Sequence, residues 1–260
     1  MNCPICASKM EELFRGILLK KHDVAYYYCH GCGFLATESP YWLDEAYQSP
    51  INASDTGILV RNIGLARLTA VFLFLLYGRS GKFVDYAGGY GILTRMMRDL
   101  GFDFYWIDPH CKNLFARGFE YRPEHWKPDL LTCYEAFEHF VDPVMEIEKI
   151  LALSENILFT TELLPNPIPQ PETWWYYGLD HGQHVSFYSL NALDHIASRY
   201  HLNFYTDGRY FHFLTKKKLG KSRFSALLAL NRLGFSHVVQ FFTGSKTFGD
   251  MNRIRSPKGR

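Results

Sequence analysis

A chain of 260 residues, 47% hydrophobic and 17% aromatic, can bury a full core and fits one large domain with an appendage. Its 28 Lys and Arg nearly balance 26 Asp and Glu, too even a charge to imply bulk nucleic-acid binding, so any basic patch must be local. The N-terminus lacks the basic and apolar regions of a secretory signal, and the longest apolar run, "IGLARLTAVFLFLLYG", is broken by Arg67 and shorter than the roughly 20 residues of a membrane span, so a cytoplasmic chain is expected.

Four of the six cysteines fall in two pairs, Cys3 and Cys6 in "CPIC" and Cys29 and Cys32 in "CHGC". In a reducing compartment this spacing points to metal rather than disulfides. Two such turns supply four thiolates for one tetrahedral zinc ion and leave no position for water, so the zinc is expected to be structural. Residues 1–36 read as a zinc ribbon with a strand at "DVAYYYC", too small to hold together without the ion. Cys111 and Cys133 lack such partners and read as small buried thiols.

Residues 37–61, with Pro, Ser and Asn beside aromatics, read as a linker packing near an active site, and an apolar helix begins at about residue 62. Strand-like and helix-like segments then alternate, the pattern of a largely parallel α/β sheet. Strands are expected at about 82–86, 104–107, 129–133 and 156–160, and helices at 92–100, 143–153 and 190–200. "LNFYTD" and "RYFHFLTKK" read as a terminal hairpin. Residues 62–218 are thus expected to form the main domain.

Residues 219–260 read as a C-terminal helix and basic tail. Helical periodicity sets Ser225, Ala229, Arg232, Ser236 and Gln240 on one stripe, with Phe224, Leu228, Phe235, Val238 and Phe242 opposite. The apolar side is expected to pack on the chain's own core or to form a homodimer. The second reading is peripheral contact with an anionic membrane.

The stretch "FVDYAGGYGILTRMMRD" lies where an α/β sheet binds ligands, at the end of a strand and the start of a helix. Ala87, Gly88, Gly89 and Gly91 form the turn behind Asp85. The dinucleotide fingerprint needs a third glycine where Thr94 stands, and Asp85 would repel a pyrophosphate. An acid there suits the ammonium and sulfonium of S-adenosylmethionine. In "FYWIDPH", 23 residues on, Asp108, followed by Pro109, is placed to accept the ribose hydroxyls.

From about residue 82 to 216 the chain resembles the class I S-adenosylmethionine-dependent methyltransferases. "VDYAGGYG" is similar to their "DxGxGxG" motif, with Ala87 in place of the first glycine. "EAFEHFVDP" resembles their fourth-strand stretch, where Glu138, His139, Asp142 and Pro143 match "EHxxDP", and "GQHVSFYS" matches a later segment at His184. The resemblance implies a Rossmann-like, mostly parallel seven-stranded sheet with a terminal antiparallel hairpin. The N-terminal stretch "CPIC…CHGCGFLATESPYWLDEAY" resembles the zinc ribbon and linker of bacterial sugar- and polysaccharide-modifying methyltransferases. Sugar C-methyltransferases carry a further C-terminal domain that this length does not accommodate, so the resemblance implies O- or N-methylation of a sugar nucleotide or glycan precursor.

Methyl transfer is an in-line displacement, for which the protein positions the acceptor and removes its proton. The candidate bases are His184 and His181, then His139, each of which also reads as a satisfied structural group. Glu135 is a candidate for the cofactor site, and Tyr47, Glu162, Trp174, Trp175 and Asp180 for the acceptor. Three rivals stay open: a zinc-containing RNA methyltransferase, against which the charge counts; a nicotinamide-dependent oxidoreductase, against which Thr94 and Asp85 count; and a non-catalytic scaffold, hinted at by Ala87.

Overall fold

The computed structural model describes residues 1–48 and 55–256. Residues 49–54 of the expected linker and 257–260 of the expected basic tail lie outside the described residues. The chain divides into two compact units, Met1–Asn52 with Cys133–Lys218, and Ala53–Thr132 with Leu219–Arg260.

In the first unit, β1 (Met10–Leu18) and β2 (His22–Cys29) form an antiparallel hairpin, followed by β3 (Leu35–Thr37) and the short helix α1 (Leu43–Ala46). The second unit begins with α2 (Ile58–Tyr77), β4 (Lys82–Tyr86), α3 (Ile92–Asp99) and β5 (Asp103–Ile107). The chain continues through β6 (Leu130–Cys133), α4 (Pro143–Leu153), β7 (Asn156–Thr160), β8 (Ser186–Phe187), α5 (Leu190–Arg199), β9 (Asn203–Thr206) and β10 (Phe211–Thr215). Three helices follow, α6 (Lys221–Arg232), α7 (Phe235–Thr243) and α8 (Thr247–Arg255).

The main sheet runs β5-β4-β6-β7-β10-β9, with β4 parallel to β5 and β6, and β10 antiparallel to β7 and β9. It has six strands among the described residues rather than the expected seven. The strands read as continuous apolar runs because both faces are covered: Phe83, Val84, Leu130, Leu131 and Ile157 to Phe159 are fully buried. Helix starts follow local chemistry. Asp142 caps α4 by accepting from Met145 N at 3.0 Å with Pro143 behind it, and Ser189 caps α5 by accepting from Ala192 N at 3.0 Å.

A second sheet, β1-β2-β3-β8, joins the N-terminal segment to the chain after the aromatic loop, with Leu35 opposite Phe187 and Ala36 opposite Ser186. Leu18, Val24, Tyr26 and Leu35 share one buried cluster with Trp42, Tyr176, Tyr177 and Phe187.

Two expectations are corrected. Helix α2 starts at Ile58, ahead of residue 62, and its 20 residues are long and apolar enough to cross a membrane by length and composition. Its middle, from Leu65 to Leu73, is nonetheless built into the unit's core. The C-terminal stretch is not one helix, because Gly234 takes a left-handed φ of 80° and divides α6 from α7. The expected apolar side is therefore split: Phe224 is buried, but Val238 and Phe242 are exposed while Ser236 is buried.

Candidate functional site

The second unit carries the glycine turn. Asp85, one residue before the end of β4, is buried, its Oδ1 accepting from Thr132 Oγ1 at 2.8 Å and its Oδ2 from Thr94 Oγ1 at 3.2 Å. Burial pushes its pKa up to about 7; the two hydroxyls pull it down, and the charge of Asp108 adds to the rise. Thr94, where the dinucleotide pattern wants glycine, thus has a use of its own.

After Asp85 the backbone turns left-handed at Ala87 (φ 55°), Gly89 (φ 53°) and Gly91 (φ 83°). A side chain at Gly88 would lie 2.7 Å from Trp106 Cδ1 and one at Gly91 2.7 Å from Asn113 Oδ1, whereas a side chain at Gly89 would meet no protein atom within 4 Å. The turn therefore packs tightly on the protein at two glycines and opens at the third. Asp108 ties the turn to the next strand: its Oδ2 accepts from Gly89 N at 2.9 Å, and its Oδ1 from His110 N at 2.7 Å and Cys111 N at 2.9 Å. The Trp106 indole donates to Gly89 O at 2.9 Å. Pro109 is exposed beside Asp108. The sequence-predicted residues Asp85, Ala87, Gly88, Gly89, Gly91 and Asp108 are all joined in this one loop system.

The first unit holds the remaining candidates. Glu135 has a left-handed φ of 52°, a costly conformation for a residue with a side chain. Its N–H donates to Thr160 Oγ1 at 2.8 Å, and its Oε1 accepts from Thr160 Oγ1 at 2.9 Å and from the Tyr210 hydroxyl. Tyr210 lies 75 residues away in sequence, and no short motif marks it.

Three histidines converge: the His139 and His184 ring centroids lie 5.0 Å apart, and those of His181 and His184 4.7 Å. His184 Nδ1 donates to Tyr176 O at 2.6 Å, since a carbonyl only accepts, which leaves the lone pair on Nε2. His139 Nδ1 donates in the same way to Gln183 O at 3.1 Å and meets the Tyr47 hydroxyl at 2.9 Å. His181 is the opposite tautomer, its Nδ1 accepting from Gln183 N at 3.1 Å. Burial lowers the His139 pKa to about 4, and burial with the neighbouring His139 and His181 holds His184 well below the usual range. Both rings are therefore neutral at physiological pH. One ligand atom from each of Glu138, His139 and His184 lies within 4.8 Å of the others, close enough to share a cation.

The expected acceptor residues are scattered around the same unit. Tyr47 reaches the histidines, and Trp174 packs into the aromatic cluster 4.9 Å from Tyr177. Trp175 is 73% exposed and Asp180 is exposed. Glu162 accepts from Arg209 Nε at 2.8 Å.

The four expected zinc ligands converge. Cys3 Sγ lies 3.6 Å from Cys32 Sγ and Cys6 Sγ 3.3 Å from Cys29 Sγ, far longer than a disulfide bond, and all four sulfurs lie within 4.8 Å of one another. Left-handed turns at Ala7 and Gly33 fold each pair inward, with Ala7 N donating to Cys3 O and Gly33 N to Cys29 O. Four converging thiols fit one tetrahedral ion.

A methyltransferase-domain family model matches residues 61–206, more than half of the chain. Among solved structures, the plantazolicin methyltransferase BpumL in complex with SAH is 10% identical with a TM-score of 0.50, the match covering 69% of this chain and 95% of that one. The magnesium protoporphyrin IX methyltransferase of Synechocystis PCC 6803 with bound SAH is 10% identical with a TM-score of 0.43, covering 68% and 96%. An O-methyltransferase family 2 protein from Planctomyces limnophilus DSM 3776, in complex with apigenin, is 15% identical with a TM-score of 0.42, covering 67% and 65%, so the chain spans less than two thirds of that protein. No curated protein sequence matches the chain.

Proposed function

This chain belongs to the methyltransferase-domain family and is an S-adenosylmethionine-dependent methyltransferase of the class I fold, and from that premise we propose that it methylates an oxygen or nitrogen of a sugar nucleotide or glycan precursor. The observation that carries the cofactor assignment is the turn at Gly89, open to a ligand on one side and tied to Asp108 on the other. Asp108 keeps acceptor capacity beyond its three backbone donors for the ribose hydroxyls, and Asp85, once ionised above its raised pKa of about 7, adds a negative field that a cationic amino-acid end favours. Glu135, the other residue expected to serve the cofactor, is held in the first unit by Thr160 and Tyr210.

The bound sulfonium supplies a methyl group with a good leaving group. The chain has then to hold the acceptor in line and take its proton. His184 suits that step, because its Nδ1–H is pinned on the Tyr176 carbonyl and Nε2 keeps its lone pair. His139, His181 and Tyr47 line the same cluster, and Trp174, Trp175, Glu162 and Asp180 supply stacking and polar groups of the kind a sugar ring uses. Cys3, Cys6, Cys29 and Cys32 hold a structural zinc ion. Thiols in that state match a cytoplasmic enzyme with a small-molecule or glycan substrate.

Calorimetric titration of S-adenosylmethionine into wild type, Asp108→Asn and Asp108→Ala tests the cofactor site: losing a charge-assisted hydrogen bond should weaken binding about tenfold or more. Unchanged affinity in both variants removes the assignment. Transfer of labelled methyl groups tests the acceptor: nucleotide sugars should take up label, and His184→Ala should lose turnover while it still binds the cofactor. Label passing to RNA instead would overturn the sugar reading.

A further inference from the structure

The three C-terminal helices hold an arrangement that the proposed reaction does not use. Residues 219–256 carry six Lys or Arg against one acid, Asp250. That acid is 5% exposed and bound to Arg98 at 2.7 Å and Arg95 at 2.9 Å, so it offsets none of the outward charge. A segment this basic stands out in a chain whose total charge is only +2.

Helix α7 turns its polar and apolar sides the wrong way for a core helix. It buries Ser236 and Val239, and it exposes Val238, Phe241 and Phe242, which share one stripe at i, i+3 and i+4. Phe241 is 82% exposed, Leu233 just before the helix 83%, and Phe248 on α8 76%. Left-handed glycines at both ends, Gly234 and Gly244, isolate α7 as a nine-residue cylinder. The exposed cations Arg232, Arg253 and Arg255 flank these aromatics in sequence. In the same unit, the N-terminal turns of α2 expose Leu59 and Val60.

We propose that the surface formed by Leu233, Phe241, Phe242 and Phe248 with its neighbouring cations docks on an anionic lipid bilayer. Apolar side chains would enter the interface while Lys and Arg meet the headgroups, the division of labour of an interfacial helix. Charge selects this occupant over a second copy of the chain. A two-fold dimer would set this basic patch against itself, and like charges across an interface oppose association. The exposed aliphatic side chains of Leu233 and Val238 favour hydrocarbon over the stacked bases of a single-stranded nucleic acid.

The test uses the full chain in flotation with phosphatidylcholine vesicles, with and without phosphatidylglycerol, across a salt series. Binding should require the anionic lipid and fall as salt rises. Replacing both aromatics, Phe241→Ser with Phe242→Ser, should cut partitioning about tenfold or more, as loss of buried aromatic surface requires, while S-adenosylmethionine affinity stays at the wild-type value. Failure of the wild-type chain to float with anionic vesicles at low salt overturns the proposal. So does a wild-type dimer in sedimentation equilibrium that the double variant dissolves, or RNA binding that the double variant loses without any vesicle binding.

Discussion

Gly89 and Ala87 share the left-handed region but stand in opposite relations to their surroundings. At Gly89 the space beyond the α-carbon is open, so Gly89→Ala meets no protein atom and pays about 1–2 kcal/mol for its backbone alone. Its effect on S-adenosylmethionine affinity should exceed that on stability, since the new methyl group occupies ligand space. Ala87 already bears that backbone cost, and Ala87→Gly should raise the melting temperature by a few degrees, the glycine's larger unfolded-state entropy offsetting part of the relief. A lower melting temperature for Ala87→Gly would mean that the alanine methyl packs better than its backbone suffers. Asp85 adds a pH dependence. With its folded pKa raised to about 7, the native state keeps a proton that the unfolded chain has released, so this contribution is fully present below about pH 4 and lost as pH rises to 7. Three pKa units correspond to about 4 kcal/mol. Denaturation midpoints followed from pH 4.5 to 8 should therefore decline less in Asp85→Asn than in wild type; parallel curves would remove Asp85 as the source. The acid and the glycines were legible in the sequence because their types and order are chemical. Their partners Thr132 and Trp106 were not, since strand neighbours in space carry no local signal.

At the scale of elements, α8 is fastened to α3 by a charge cluster. Arg98, 2% exposed, lies 3.7 Å over the Phe119 ring, donates to Phe104 O at 3.0 Å and makes a two-pronged bond to Asp250 at 2.7 Å. Burial raises the Asp250 pKa, but Arg98 and Arg95 outweigh it and hold the carboxyl below its usual range. Removing one partner of such a pair strands the other, so Asp250→Ala should cost about 3–5 kcal/mol by denaturant unfolding. In a cycle with Arg98→Met, the double variant should recover part of that loss. Additive effects would mean the two residues do not act as a pair. Nothing in "TRMMRD" announced that Arg98 faces inward, because a cation's partner 152 residues away lies outside any local pattern. By contrast, β4, β7 and α4 match their expected bounds; the glycine turn closes β4, and the Asp142–Pro143 cap opens the helix. The C-terminal helices defied their apolar periodicity. The glycine break reset the phase, and the faces that pack were chosen by α2 and α3 rather than by amphipathicity.

For the whole molecule, residues 1–36 read in the sequence as a zinc ribbon, and in the fold that segment shares a sheet and an aromatic cluster with the chain from Leu164 to Phe187. The link is β8, a strand of two residues, too short to show any period. Its pairing with β3 extends the cysteine-bearing sheet to Ser186 and Phe187, two and three residues after His184. Val185 N also donates to Glu138 O at 2.8 Å. Zinc should therefore matter to turnover as well as to folding. Elemental analysis should find one zinc ion per chain; a second ion would point to Glu138, His139 and His184. Cys29→Ser, or exhaustive chelation, should lower the melting temperature and weaken the near-ultraviolet dichroism of the cluster around Tyr26, Trp42, Tyr176 and Tyr177. The glycine turn belongs to the second unit and uses none of these residues, so the dissociation constant for S-adenosylmethionine should stay near the wild-type value while kcat falls. Loss of cofactor affinity in step with kcat would show that the metal supports the entire fold. Unchanged dichroism after chelation would show that the four thiols hold no structural ion.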